Sequence, residues 1–179
     1  ILSSSFHWWW AITHASTLRT DTRYTPTDCF ETFPQPTTDD GLSRVGQAVE
    51  EHRRLLMVSR RLGLTKTYKK YNDRLEVTAE VTKLRDLHIK MDRVVAAAYG
   101  WTDLDLGHDF HDTKQGVRFT ISPAARQEVL NRLLKLNHQR YAEEVTQGLH
   151  EKRTPKGKTR GTHAKGKRND PSSPLLEGV

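Results

Sequence analysis

The sequence is short of cysteine, of apolar residues and of long hydrophobic runs. Cys29 is the only cysteine, which excludes an internal disulfide and suits a reducing cytosol. Hydrophobic residues make up only 35% of the chain and the mean hydropathy is −0.75, so any core must be lean. No apolar run approaches the roughly 20 residues that a membrane span needs, and no secretory signal is recognisable. A membrane partner is therefore not expected. No Gly-rich phosphate or cofactor loop sits between a strand and a helix, and neither a G-x-S-x-G elbow nor a zinc-type Cys pair occurs. No catalytic, cofactor-binding or metal-binding residue is assigned on these grounds.

Charge is present in excess but unevenly placed. Of the net +7, residues 151–179 carry +5, from eight Lys/Arg against three Asp/Glu. Residues 1–150 carry 21 against 19, or +2. The tail beyond His150 has no periodicity and is rich in Gly, Pro and Lys, which predicts a disordered basic segment. Its Lys156, Lys158 and Arg160 suit nonspecific attraction to phosphates.

The 179 residues allow one ordinary domain or two small ones, and the pattern predicts a mainly α fold with three long helices. The N-terminal SSSFHWWWAITHA reads as serines capping a short aromatic helix, followed by a turn at Ser16 and Thr17. LRTDTRY (18–24) has Arg19, Asp21 and Arg23 on one face if it forms a strand. The arginines then either pair with Asp21 or reach phosphates and guanine edges. RYTPTDCFETFPQP (23–36) reads as an extended connector, because each proline biases its preceding residue away from helix. Phe30, Phe33 and the prolines are its expected docking anchors.

A first long helix is expected over about Gly41 to Leu62, with Leu42, Val45, Val49, His52 and Leu56 at helical spacing and Gly63 ending it. Residues 63–76 read as a polar connector, locally basic through Lys66, Lys69 and Lys70. In the second helix Val77, Val81, Leu84, His88, Met91, Val95 and Ala98 form a heptad-like seam closed by Gly100. Residues 101–122 read as a loop with a short strand from Val117 to Ile121. Within it His108, His111 and Asp112 offer metal-ligand chemistry, but no second cluster at suitable spacing completes a site. Ser122 and Pro123 open the third helix, and Gly148 ends it.

Three stretches, taken in order, resemble a known family. The first is Ser4-Ser5, His7, Trp10, Leu18 and Arg23-Tyr24, ending in Phe33-Pro34-Gln35-Pro36. The second is Gly63-Leu64-Thr65-Lys66-Thr67-Tyr68. The third runs from Leu87-His88 and Met91-Asp92 through Ala98-Tyr99-Gly100-Trp101 to Leu136-Asn137-His138. Together they resemble the C-terminal part of bacterial adenine-specific DNA methyltransferases from fused type II restriction–modification systems.

The resemblance implies that residues 1–36 are the end of a target-recognition region, a small α/β remnant. It makes 37–150 a helical support and leaves 151–179 as the basic tail. The partners implied are double-stranded DNA and the N-terminal methyltransferase part of the same enzyme, in the bacterial cytoplasm. S-adenosylmethionine would be held by that missing part. The chain opens on Ile1 with structured-looking sequence and is expected to be a fragment. It also departs from the family's full pattern, since Asn169-Asp170-Pro171-Ser172 lacks the second proline and the aromatic of the catalytic tetrapeptide. Arg19, Arg23, Tyr24 and Lys66, with the tail residues, are the candidate DNA contacts. The competing reading is a structural helical module that docks protein partners through the seam of the second helix. A small metal enzyme built on His108, His111 and Asp112 is a third.

Overall fold

The computed structural model describes residues 1–18, 21–37 and 39–149. Arg19 and the tail, with Lys156, Lys158 and Arg160, lie outside the described residues. The fold is mainly α, with two small antiparallel hairpins. The elements are α1 (Ser5–His14), β1 (Ser16–Leu18), β2 (Asp21–Arg23), α2 (Asp40–Ser59), α3 (Leu64–Tyr71), α4 (Ala79–Ala98), β3 (Asp109–Thr113), β4 (Gly116–Thr120) and α5 (Pro123–Thr146).

Helix α1 starts where the serines predict. Ser4 is extended and its Oγ accepts from the His7 N–H. Phe6, His7, Trp9, Trp10 and Ala11 are all buried, so the helix is enclosed on most of its circumference. The turn expected at Ser16 and Thr17 is instead the first strand of a hairpin, in register Ser16↔Arg23, Thr17↔Thr22 and Leu18↔Asp21.

The Arg23–Pro36 stretch departs from an extended connector. Thr25 is extended before Pro26, but Pro26–Phe30 coils into a π-helical turn closed by Glu31 N–H on the Pro26 carbonyl. Proline constrains only itself and its predecessor. Beyond it, Asp28 accepts from the Thr25 hydroxyl and gives its carbonyl to Thr32. Cys29, Phe33, Pro34 and Pro36 are buried, whereas Pro26 and Phe30 (42%) are exposed and do not serve as the buried anchors expected of them.

Helix α2 begins with Asp39 accepting from Leu42 N–H, and buries Leu42, Val45, Val49 and Leu56. Gly63 does not end it. Arg61 takes the left-handed position (φ 50°) instead, with Arg61 N–H on Val58 and Leu62 N–H on Met57. Gly63 caps α3, an eight-residue helix where a connector was expected. It buries Thr67 and Tyr71, one turn apart.

The seam of α4 forms as expected from Val81 to Val95, although Val77 precedes the helix and is exposed. Helix α2 packs along α4, so the seam is covered within the chain and is not a free docking face. Gly100 (φ 76°) closes α4 with Trp101 N–H on the Ala96 carbonyl and its own N–H on Ala97. The loop expected over 101–122 contains a full hairpin, β3 included, in register Asp109↔Thr120 through Thr113↔Gly116. Ser122 and Pro123 start α5 as predicted, and its Ala125, Val129 and Leu133 are buried, while Tyr141 and Val145 are exposed.

One core joins Phe6, Trp9 and Trp10 to Phe33, Val45, Val49, Met91, Val95, Val129 and Leu133. Residue 36 is therefore a landmark along the chain and does not divide the core. A second cluster joins Leu56, Tyr71, Val81 and Leu84.

Candidate nucleic-acid interface and an arginine-lined cavity

Arg23 closes β2 and is exposed, and Tyr24 follows it at 49% exposure. The Tyr24 hydroxyl lies 3.1 Å from Nε2 of His7 on the buried helix α1. Burial holds the His7 imidazole below its usual pKa, so it meets Tyr24 as a neutral ring. The pair therefore seats the end of the hairpin on the core while leaving Arg23 outward. Lys66 is also exposed but stands on a different element, α3. LRTDTRY (18–24) does not form one strand: Leu18 ends β1 and Asp21 opens β2, the two paired across the hairpin, and Arg19 lies outside the described residues.

The three stretches that carry the family resemblance meet in space. Tyr99 donates to the Pro34 carbonyl at 2.8 Å, Asn137 to the Thr32 carbonyl at 2.6 Å, and Arg140 to the Gln35 carbonyl at 2.7 Å. The Phe33–Pro36 backbone, which forms no regular structure, is thus satisfied by side chains from α5 and the end of α4. Behind it Phe6, Tyr99 and Trp101 stack. Tyr68 of the second stretch lies 3.1 Å from His88 Nε2 of the third. These residues brace the fold.

His108, His111 and Asp112 do not converge. Nε2 of His108 lies 2.8 Å from Asp92 Oδ2, Nε2 of His111 faces the Gly107 carbonyl, and Asp112 is exposed. Among the described residues no group of three or more His, Cys, Asp or Glu is placed to hold a metal ion. Asp92 is a structural node that spacing alone does not reveal. It is 1% exposed, and its Oδ1 accepts from Ser5 N–H at the start of α1, where a negative charge is favoured by the helix dipole.

The sequence also conceals a cavity of about 250 Å³ between the start of α1, α2, α3, α4 and β4. Trp8, Tyr68, Tyr71 and Phe119 form its aromatic walls, and Arg53 and Arg118 supply its charge. Arg53 pairs with Glu50 and donates to the Tyr68 hydroxyl at 3.4 Å. That hydroxyl proton is then free to go to His88, which burial depresses to a pKa of about 4 and so keeps neutral. The Arg118 guanidinium lies over the Trp8 ring at 5.8 Å and has no ion pair among the described residues. No carboxylate lines the cavity. A neighbouring arginine behaves differently: Arg85 is buried and donates to the carbonyls of Lys70, Tyr71, Asp73 and Glu76, clamping the link from α3 to α4.

Comparison with protein-family models, with curated proteins and with solved structures finds no match for this chain.

Proposed function

We propose that this chain is the DNA-binding or supporting part of a site-specific adenine DNA methyltransferase of the restriction–modification kind. The observation that carries the reading is the division of labour among the residues of the resemblance. Tyr99 with Pro34, Asn137 with Thr32 and Tyr68 with His88 are consumed in bracing. Arg23 and Tyr24 are seated on α1 yet remain at the surface. A rigid helical unit that presents an arginine at a hairpin end is suited to reading a base edge or a phosphate, since guanidinium can donate twice to guanine or to a phosphate.

In this reading Arg23 and Tyr24 contact duplex DNA, with Arg19, Lys66 and the tail residues Lys156, Lys158 and Arg160 adding phosphate attraction. The tail contributes affinity without specificity. The partner is the methyltransferase part of the same enzyme, which holds S-adenosylmethionine and flips the target adenine. This chain's sequence has no Gly-rich loop between strand and helix to take the cofactor. Binding of the chain to a labelled duplex, followed by fluorescence anisotropy across a salt series, tests the reading. Saturable binding that weakens with salt in proportion to the phosphates contacted is expected. No binding even at low salt would overturn it.

A further inference from the structure

The cavity walled by Trp8, Tyr68, Tyr71 and Phe119 is lined by neither Arg23 nor Tyr24. Its chemistry is specific in three respects. Among the described residues no carboxylate lines it, and of its two guanidiniums Arg53 is paired with Glu50 while Arg118 is not, so Arg118 supplies its uncompensated positive charge. Arg118 has no ion pair among the described residues and is available for a bidentate bond to phosphate. Aromatic side chains line it beside the serines Ser3 and Ser5, which suits a planar ring with polar edges.

Size narrows the choice. At about 250 Å³ it is smaller than the roughly 300–1,000 Å³ usual for small-ligand sites, which limits it to one partly enclosed nucleotide and excludes a duplex. The walls are also preorganised. Tyr68 is fixed by Arg53 and His88, Tyr71 packs edge-on to Phe119, and Asn72 Oδ1 accepts from Phe119 N–H at 3.0 Å. Sites fixed before binding lose less entropy on binding.

We propose that this cavity binds a single 5′-nucleotide, the phosphate on Arg118 and the base against Trp8, Tyr68 and Phe119. Calorimetric titration of the full chain with AMP, adenosine and inorganic phosphate tests it. AMP binds saturably, and adenosine and phosphate each bind about tenfold more weakly or worse, because each lacks half of the contacts. Arg118→Ala weakens AMP about tenfold, whereas Arg23→Ala leaves AMP binding unchanged, so failure here is distinct from failure of the duplex reading.

Absence of AMP binding would overturn the proposal, as would phosphate binding as tightly as AMP or an Arg118→Ala variant that binds like the parent. Should that variant not fold, photocrosslinking of an azido-substituted AMP to the unaltered chain decides. Labelling of the peptides holding Trp8 or Tyr68 supports the site, and labelling confined to the basic tail contradicts it. Competition by a short unpaired DNA strand separates the two sources of the nucleotide. Displacement of AMP indicates a nucleotide within a strand, and no displacement indicates a free one.

Discussion

The Tyr99 hydroxyl donates to the carbonyl of Pro34 at 2.8 Å, tying the end of α4 to the Phe33–Pro36 stretch across 65 residues of chain. Burial pushes the Tyr99 phenol far above its usual pKa, so it remains a neutral donor at any working pH. Replacing it by phenylalanine keeps the stack on Trp101 but leaves a carbonyl without its partner. Tyr99→Phe is expected to cost about 1 kcal/mol of stability in urea unfolding, with an unchanged m-value. A variant as stable as the parent would show that the bond does not hold the stretch.

Asp92 carries more. Its two oxygens satisfy the first turn of α1 and His108 from a position 1% exposed. Asp92→Ala leaves the part-buried Ser5 N–H and the His108 ring without their partner, at about 1–3 kcal/mol for each group left unsatisfied. A double-mutant cycle with His108→Ala should return a coupling of roughly 1–3 kcal/mol, since the two side chains touch. Additive losses would assign Asp92 to the helix start alone.

Acid should loosen the cavity before it titrates the carboxylates. His88 has a folded pKa of about 4 against an unfolded value near 6.5, so the unfolded chain binds its proton first. The stability that His88 contributes is complete above about pH 6.5 and is lost as pH falls toward about 4, on the order of 3 kcal/mol in all. His7 and His14, also held low by burial, act in the same direction. Glu76, held at about 2 chiefly by its hydrogen bond from Lys70, loses its contribution only as pH falls from about 4.5 toward 2. Unfolding free energies measured between pH 7 and 5 should thus fall less steeply in His88→Gln than in the parent. Equal slopes would place the effect elsewhere.

Arg61 offers a gain. It holds a left-handed backbone (φ 50°) at the end of α2, a conformation that costs a side-chain-bearing residue about 1 kcal/mol or more. Arg61→Gly should raise stability by about 0.5–1 kcal/mol, read as a higher urea midpoint. A lower midpoint would mean that the Arg61 side chain contributes more than the strain costs.

Much of the helical frame was legible because the apolar spacing and the caps agree. Ser122-Pro123 marks the start of α5 and Gly100 the end of α4. Helix α3 was hidden because it buries only Thr67 and Tyr71 and otherwise reads as lysine-rich connector; packing against α4 outweighs its weak propensity. Strand β3, with Phe110 as its one apolar residue, carries little alternation to recognise. The π-helical turn was missed because proline rules speak for Thr25 and not for the residues beyond Pro26. Arg23 and Tyr24 are named as candidate DNA contacts from their spacing in 18–24 and from the resemblance, whereas the hairpin that carries Arg23 is not legible there. The cavity could not be named, since Trp8, Arg53, Tyr68 and Arg118 lie far apart in sequence and meet only in the folded chain.

The central claim is that Arg23, at the seated end of the hairpin, contacts DNA. The most direct measurement is selection from a random duplex pool, with anisotropy on the selected site, for the full chain and its Arg23→Ala variant. The account predicts that Arg23→Ala weakens binding to the selected site by about 1–3 kcal/mol and relaxes preference at one position, while a urea midpoint equal to the parent's shows the fold intact. Unchanged affinity together with an unchanged selected sequence would contradict it.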